Sequence, residues 1–336
     1  MRIAYFYNEE WEKEFVSTRL PEDTFNFFKG STMDNPEASD VDADVVSIFV
    51  NSKVDSALLD KFPKAKLIAA RSTGFDHIDI AEVVRRGGAT VNVPTYGEHT
   101  VAEFAMALLL ALSRRIYDAY RRIETTGSFS QEDLRGFDLR GRTIGVVGTG
   151  HIGVHMIRMA KGFGMNVVAF DVYQNNALAA ELGFQYMSFD DLLANSDIIS
   201  LHAPYNSHTH HMINQDNVGK IKRGAYLINT ARGGLVETAA LVRGLEEGII
   251  AGAGLDVLEE EGHLEDEAGL ISMTHPNEDA LRVLLANHYF IHHPHVIVTA
   301  HIAFNTQEAI ERILNTTIQN IQAFKGGAPT NVVSPK

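Results

Sequence analysis

TIGVVGTGHIGVHMIRMAKGFGMNVVAFD, residues 143–171, is the stretch whose reading decides the fold. TIGVVG (143–148) reads as a buried strand, and Gly148, Gly150 and Gly153 follow at its tip and open a helix. A second apolar strand, NVVAFD (166–171), ends on Asp171. Three glycines in a G-x-G-x-x-G pattern are weak evidence alone. Here they stand in the full βαβ context of a dinucleotide site. The first glycine makes the tight turn, the second lets the backbone approach a pyrophosphate, and the third allows close helix–strand packing, while the helix N-terminus attracts phosphate charge. Asp171 sits where a carboxylate accepts hydrogen bonds from both ribose hydroxyls and repels a 2′-phosphate. The expected cofactor is therefore NAD rather than NADP.

Outward from this stretch the chain alternates short β-branched runs with helical segments. IAYFY (3–7), VVSIFV (45–50), LIAAR (67–71) and TVNVP (90–94) precede it. DIISLH (197–202), AYLINT (225–230), IIAGAGLD (249–256) and VIVTAH (296–301) follow it. Such alternation predicts parallel sheets covered by helices on both faces. Because the glycine motif lies mid-chain, the long segment before it must form a second domain. Between the two series the pattern predicts a helix starting near Thr100, with Thr100 and Glu103 as a capping box. Val101, Phe104, Ala105, Leu108, Leu109 and Leu112 recur at helical spacing. So broad a stripe fits a domain or subunit interface and an internal core helix equally well.

Composition limits the function classes. The formal net charge of the 336 residues is −14, which opposes phosphate backbones and anionic membrane surfaces, so nucleic acid and membrane are not expected partners. The chain has no cysteine, which removes thiol nucleophiles, disulfides and cysteine zinc sites and is compatible with a cytoplasmic enzyme. MRIAYFYNEEW reads as an immediate first strand rather than a leader, and the longest apolar run, Phe104–Leu112, is far short of the roughly 18 residues that span a bilayer.

LINTARGGLV (227–236) places an arginine and two glycines directly after a buried strand. Strand tips are where a doubly wound fold puts its chemistry, and here they carry His202, Arg232, Asp256 and His301, with the acidic run Glu259–Glu261 just beyond. Reduction of a 2-keto acid needs a cation to grip the carboxylate, a proton donor for the carbonyl oxygen, and a carboxylate that favours the charged donor. Arg232, His301 and one of the three glutamates supply these types. The histidine runs HTHH (208–211) and HHPH (292–295) lack helical ligand spacing beside a carboxylate, so no metal is expected. His77 and His99 read as packing or solvated residues.

Taken together these segments resemble the D-isomer-specific 2-hydroxyacid dehydrogenase family, and within it the D-lactate dehydrogenase branch. The likeness runs over nearly the whole chain: STGFDHID (72–79), NVPTYGEHTVAEFA (92–105), the glycine motif through Asp171, LHAP (201–204), NTARGGLV (229–236), GLDVLEEE (254–261) and TAHIAFNT (299–306). It implies two doubly wound parallel-sheet domains, a Rossmann domain (99–301) inserted into a flavodoxin-like substrate domain (1–98 and 302–336). It also implies a homodimer through the Val101–Leu112 region. The family's substrate arginine falls on Arg232 and its acid/base histidine on His301. Its glutamate falls on Glu261, which leaves Glu259 and Glu260 as solvated charges. Asp256 matches a contact to the nicotinamide side of the cofactor, and Thr73 and Gly74 match the loop whose amides hold the substrate carboxylate. His151, Ile152, Ala203, Pro204, Thr209, Thr230 and Ala231 match positions that line the cofactor. Tyr96 and Phe304 match aromatics that enclose a small methyl group.

The chain departs from the family pattern at Ala300, where proline is common, and in a longer segment between Glu261 and His301 with the polar stretch HPNEDALR (275–282). The reaction implied is pyruvate with NADH to D-lactate. The alternatives are a glyoxylate or hydroxypyruvate reductase of the same family and a dinucleotide-sensing corepressor. A short-chain dehydrogenase is set aside because no tyrosine has a lysine four residues later.

Overall fold

The structure is a computed structural model describing residues 1–261 and 278–335. It divides into two compact units, Met1–Gly97 with the segment from Asn305 onward, and Glu98–Phe304.

The first unit begins with strand β1 (Arg2–Tyr7), helix α1 (Glu10–Arg19), β2 (Thr24–Lys29), β3 (Val45–Ile48), α2 (Ser56–Lys61), β4 (Leu67–Ala70), α3 (Ile80–Arg85) and β5 (Ala89–Val91). β1, β3 and β4 are largely apolar and buried at every residue but Arg2, as strands covered on both faces must be. β2, TFNFFK, was not among the strands expected; its aromatics pair in parallel with β1, and Phe28 stacks on Phe6.

The second unit follows with α4 (Glu98–Ser113), α5 (Ile116–Thr126), β6 (Thr143–Val147), α6 (His151–Gly162), β7 (Asn166–Phe170), α7 (Asn176–Leu182), β8 (Gln185–Tyr186), α8 (Phe189–Asn195) and β9 (Ile198–Leu201). Then come β10 (Ala225–Asn229), α9 (Thr238–Glu246), β11 (Ile250–Leu255), α10 (Glu278–His292) and β12 (Val296–Val298). The chain returns to the first unit with α11 (Gln307–Lys325), capped by Thr306, and β13 (Val332–Val333). Part of the polar stretch 275–282 lies outside the described residues, and from Glu278 it forms the start of α10.

The first sheet has the order β13-β5-β4-β3-β1-β2, parallel except for β13. The second has the order β12-β11-β10-β9-β6-β7-β8, parallel throughout. Its direction of winding reverses between β6 and β9. In an open α/β sheet the strand tips on either side of that reversal form the binding crevice. This is a Rossmann sheet, and the glycine motif stands at its switch point.

Two expectations about α4 are corrected. The helix starts at Glu98, so Thr100 is a buried residue inside it and not its cap. Val101 is buried, and Ala105, Leu108, Leu109 and Leu112 are buried in the second unit's own core. Gly254 on β11 makes that packing possible, since a Cβ there would stand 3.0 Å from the Cβ of Leu108. The exposed apolar face belongs instead to α5, where Ile116, Tyr117, Tyr120 and Ile123 are all exposed and no residue is buried. Among the described residues no helix is long and apolar enough to cross a membrane.

Candidate active site

The dinucleotide turn is built from close backbone contacts. Gly148 adopts φ +90, and a Cβ there would lie 2.7 Å from the carbonyl oxygen of His202, so a side chain is excluded by conformation and by space. At Gly153 a Cβ would fall 1.9 Å from the carbonyl oxygen of Gly148. Gly150, at the N-terminus of α6, is different: a Cβ would meet nothing within 4 Å. The turn is packed tight on two sides and open at the helix N-terminus, which is the arrangement a pyrophosphate needs. Asp171 closes the turn, its Oδ2 accepting from the Thr149 amide at 2.7 Å and from Thr149 Oγ1 at 3.0 Å. Its Oδ1 accepts from the Tyr173 amide at 2.9 Å. The residues present therefore fit a dinucleotide. His151 is exposed and Ile152 half-buried on the first turn of α6.

Facing this turn across the switch point is the β9 tip. His202 is held at Nε2 by the buried Ser200 hydroxyl at 2.8 Å, and burial pushes its imidazole down to about 4, so the ring is neutral. It is an anchor of the glycine turn, not a proton donor. Ala203 and Pro204 continue into a loop folded by Thr209, whose Oγ1 donates to the Pro204 carbonyl at 2.6 Å and accepts from the Asn206 amide at 2.9 Å.

The Arg232 loop leaves the tip of β10. Asn229, almost fully buried, accepts from the Ala231 amide at 3.1 Å and donates to the Arg232 carbonyl at 2.9 Å, so the turn is stitched from below. Arg232 also donates to the Ala231 carbonyl at 2.8 Å. Thr230 is buried.

His301 and Glu261, far apart in sequence, stand within hydrogen-bond distance. His301 Nδ1 stands 2.6 Å from Glu261 Oε1, and Glu261 Oε2 accepts from the Leu258 amide at 3.1 Å. The glutamate is thus fixed on its own loop, and Nε2 of the histidine is the nitrogen turned away from it. His301 has φ +52, a left-handed conformation rare for a non-glycine residue. Asp256 enforces it. Its carbonyl accepts from the His301 amide at 2.9 Å. Its carboxylate accepts from Thr299 Oγ1 at 2.6 Å, the Ile302 amide at 2.9 Å and the Ala303 amide at 2.8 Å. Asp256 is fully buried, and burial raises its carboxyl above the usual range despite those donors. Expected to face the cofactor, it spends both oxygens on the histidine loop.

In the first unit, the Thr73 hydroxyl donates to the Val93 carbonyl at 2.8 Å, and Asn92 donates to the Thr73 carbonyl at 2.8 Å. Among the described residues the amides of Thr73 and Gly74 donate to no protein acceptor. Tyr96 is half-buried and its carbonyl accepts from Arg312; Phe304 is half-buried in the second unit.

Two groups escaped the sequence reading. Arg71, next to this loop, is buried and pairs with buried Glu12 at 3.0 Å, and Glu12 accepts from the Tyr5 hydroxyl at 3.1 Å. Removing one partner of such a pair costs about 3–5 kcal/mol because the other charge stays buried. An arginine ending an apolar run was the available sign, but its partner lies far away in sequence. Glu259 is the second, and it corrects the reading of a solvated charge. Its carboxylate accepts from Thr238 Oγ1 at 2.6 Å and meets His211 Nε2 at 2.5 Å. Burial alone would raise its carboxyl, but these hydrogen bonds hold it below the usual carboxylate range. Two further histidines have local partners: His210 meets the Tyr205 hydroxyl at 3.0 Å, and His295 meets Arg115 at 2.8 Å. Among the described residues no three His, Asp or Glu side chains are grouped to hold a metal.

Comparison with known proteins gives a consistent result. Residues 106–303 match the family model described as D-isomer specific 2-hydroxyacid dehydrogenase, NAD binding domain. The D-lactate dehydrogenase of Escherichia coli is 35% identical, over 97% of this chain and 98% of that one. A glyoxylate reductase of Thermococcus litoralis is 34% identical, over 96% of each. The solved structure of an Aquifex aeolicus D-lactate dehydrogenase complexed with NAD and lactic acid superposes with TM-score 0.85 at 33% identity, covering 99% of this chain and 100% of that chain.

Proposed function

The chain belongs to the D-isomer specific 2-hydroxyacid dehydrogenase family, an NAD-dependent class of oxidoreductases, and we propose that its reaction is the reduction of pyruvate to D-lactate. The observation that carries the reading is the His301–Glu261 contact of 2.6 Å, on loops at the same sheet edge as Arg232. The unit holding Thr73, Gly74 and Tyr96 is assigned to the substrate, and the Glu98–Phe304 unit to the dinucleotide.

Bound NADH supplies a hydride to the carbonyl carbon. Arg232 grips the substrate carboxylate. His301 gives a proton from Nε2 to the carbonyl oxygen, while its Nδ1–H stays on Glu261. Glu261 fixes the orientation and tautomer of the ring through its contact with Nδ1. The turn of Gly148, Gly150 and Gly153, with His151, Ile152 and Asp171, holds the dinucleotide, joined by Ala203, Pro204, Thr209, Thr230 and Ala231, while Asp256 stands behind them and folds the His301 loop.

A panel of 2-keto acids with NADH and NADPH tests this. Pyruvate with NADH should be the best pair, and His301→Ala should lower its turnover by about 10²–10⁴-fold while NADH still binds. A preference for glyoxylate or hydroxypyruvate favours the second reading, which the glyoxylate reductase relative supports. No consumption of NADH with any keto acid would leave only a dinucleotide-sensing binding protein. We further propose a homodimer, formed through the exposed apolar face of α5.

A further inference from the structure

Glu259 stands at the meeting point of three loops in the second unit. Its carboxylate accepts from the Thr238 amide at 3.1 Å and the Thr238 hydroxyl at 2.6 Å, at the start of α9. It meets His211 Nε2 at 2.5 Å, in the loop after β9. Its carbonyl accepts from Asn287 Nδ2 of α10 at 3.0 Å. The His211 amide in turn donates to the Gly234 carbonyl at 2.8 Å, two residues beyond Arg232. Backbone contact completes the junction: a Cβ on Gly233 would lie 2.0 Å from the carbonyl carbon of Leu258 and 2.3 Å from the Glu259 nitrogen. The Arg232 loop and the Glu261 loop therefore touch main chain to main chain, with the Glu259 carboxylate tying their far ends together.

The same junction holds two residues in left-handed backbone, His211 at φ +50 and Glu260 at φ +49. Neither is a glycine, so each conformation persists only where its surroundings over-determine it. Glu260 lies directly between Glu259 and Glu261. If the clamp opens, the peptide that aims Glu261 at His301 is free to relax.

We propose that Glu259 is a positioning residue that locks the Arg232 loop to the Glu261 loop and so fixes the substrate cation relative to the acid–base pair. The proposal rests on the roles assigned above to Arg232, Glu261 and His301. Glu259 touches neither substrate nor cofactor; it acts through the two loops.

The test uses the full chain with Glu259→Ala, Glu259→Gln and Glu261→Gln, each assayed for pyruvate reduction across pH, for NADH binding and for thermal unfolding. A displacement of about 1 Å at a reacting group costs roughly 10²-fold, so Glu259→Ala should lose about that factor in kcat/KM, with KM raised and kcat lowered together. Its activity should fall away at lower pH than in the parent, in the direction of Glu261→Gln, while NADH affinity is retained. Glu259→Gln keeps an acceptor for Thr238 and should recover most of the loss. A folded Glu259→Ala protein with the parent's kcat/KM and pH profile overturns the proposal. If that variant does not fold, Thr238→Val with His211→Gly removes both side-chain donors and leaves the carboxylate on the Thr238 amide alone; the same shift is expected, and parental behaviour overturns the clamp. The two readings separate cleanly. A shifted profile in Glu261→Gln beside a parental one in Glu259→Ala refutes the clamp alone, whereas a parental profile in Glu261→Gln refutes the acid–base pair and the clamp with it.

Discussion

His202 shows how one side chain can look catalytic and be structural. It occupies a strand tip beside the glycine turn, yet burial keeps its ring neutral, down to about 4, with Ser200 as partner. The consequence is a stability that depends on pH. The unfolded chain takes up the proton near pH 6.5, and the folded chain resists it until about 4. Stability is therefore undiminished above about 6.5 and is lost as pH falls through that window, by on the order of 3 kcal/mol at its acid end. Denaturant unfolding of the parent and of His202→Gln at a series of pH values should show the acid-side loss reduced in the variant. Equal slopes in the two proteins would mean that His202 titrates normally in the folded state. His301 has a different setting: a partly exposed ring with a carboxylate at Nδ1.

At the scale of an element, the tip of β7 does two jobs through Asp171. It presents a carboxylate at the ribose position, and the same oxygen that accepts from Thr149 fastens the turn between β6 and α6. Asp171→Ser should weaken NADH binding and relatively favour NADPH, since the charge that opposes a 2′-phosphate is gone. Measuring Kd for both cofactors in parent and variant checks it; an unchanged ratio would show that selectivity lies elsewhere. Thr149 bonds Tyr186 as well, at 2.8 Å, so the turn is tied to β8 too. The histidine loop after β12 follows the same logic, with Asp256 in place of Asp171: a carboxylate at a strand tip folds the loop that carries the reactive group.

At the scale of the whole chain, α5 presents an exposed apolar face. Ile116, Tyr117, Tyr120 and Ile123 recur along this one helix, and the stripe of α4 beside it is already spent inside the chain. Light scattering should report a dimer at micromolar concentration, and Tyr120→Glu with Ile123→Glu should yield a folded monomer. A parent that is itself monomeric would remove the second-copy reading of this face.

The glycine turn, the strand series and Asp171 were legible in the sequence because their requirements are local. A Cβ clash at Gly148 or Gly153 is a property of the turn itself. The roles proposed for Arg232, Glu261 and His301 come from resemblance, since composition alone leaves the three glutamates equivalent. The strand β2, the true start of α4 and the burial of its stripe were not legible, because each depends on what packs against it. Arg71 needed Glu12, and Glu259 needed Thr238 and His211, partners set by the winding of the sheet and not by spacing along the chain. The sequence by itself determined the βαβ architecture and the residue types of the site, since periodicity and steric demands act over a few residues. Only the tertiary structure decided which charges are buried and which are solvated, because desolvation depends on neighbours brought from far along the chain.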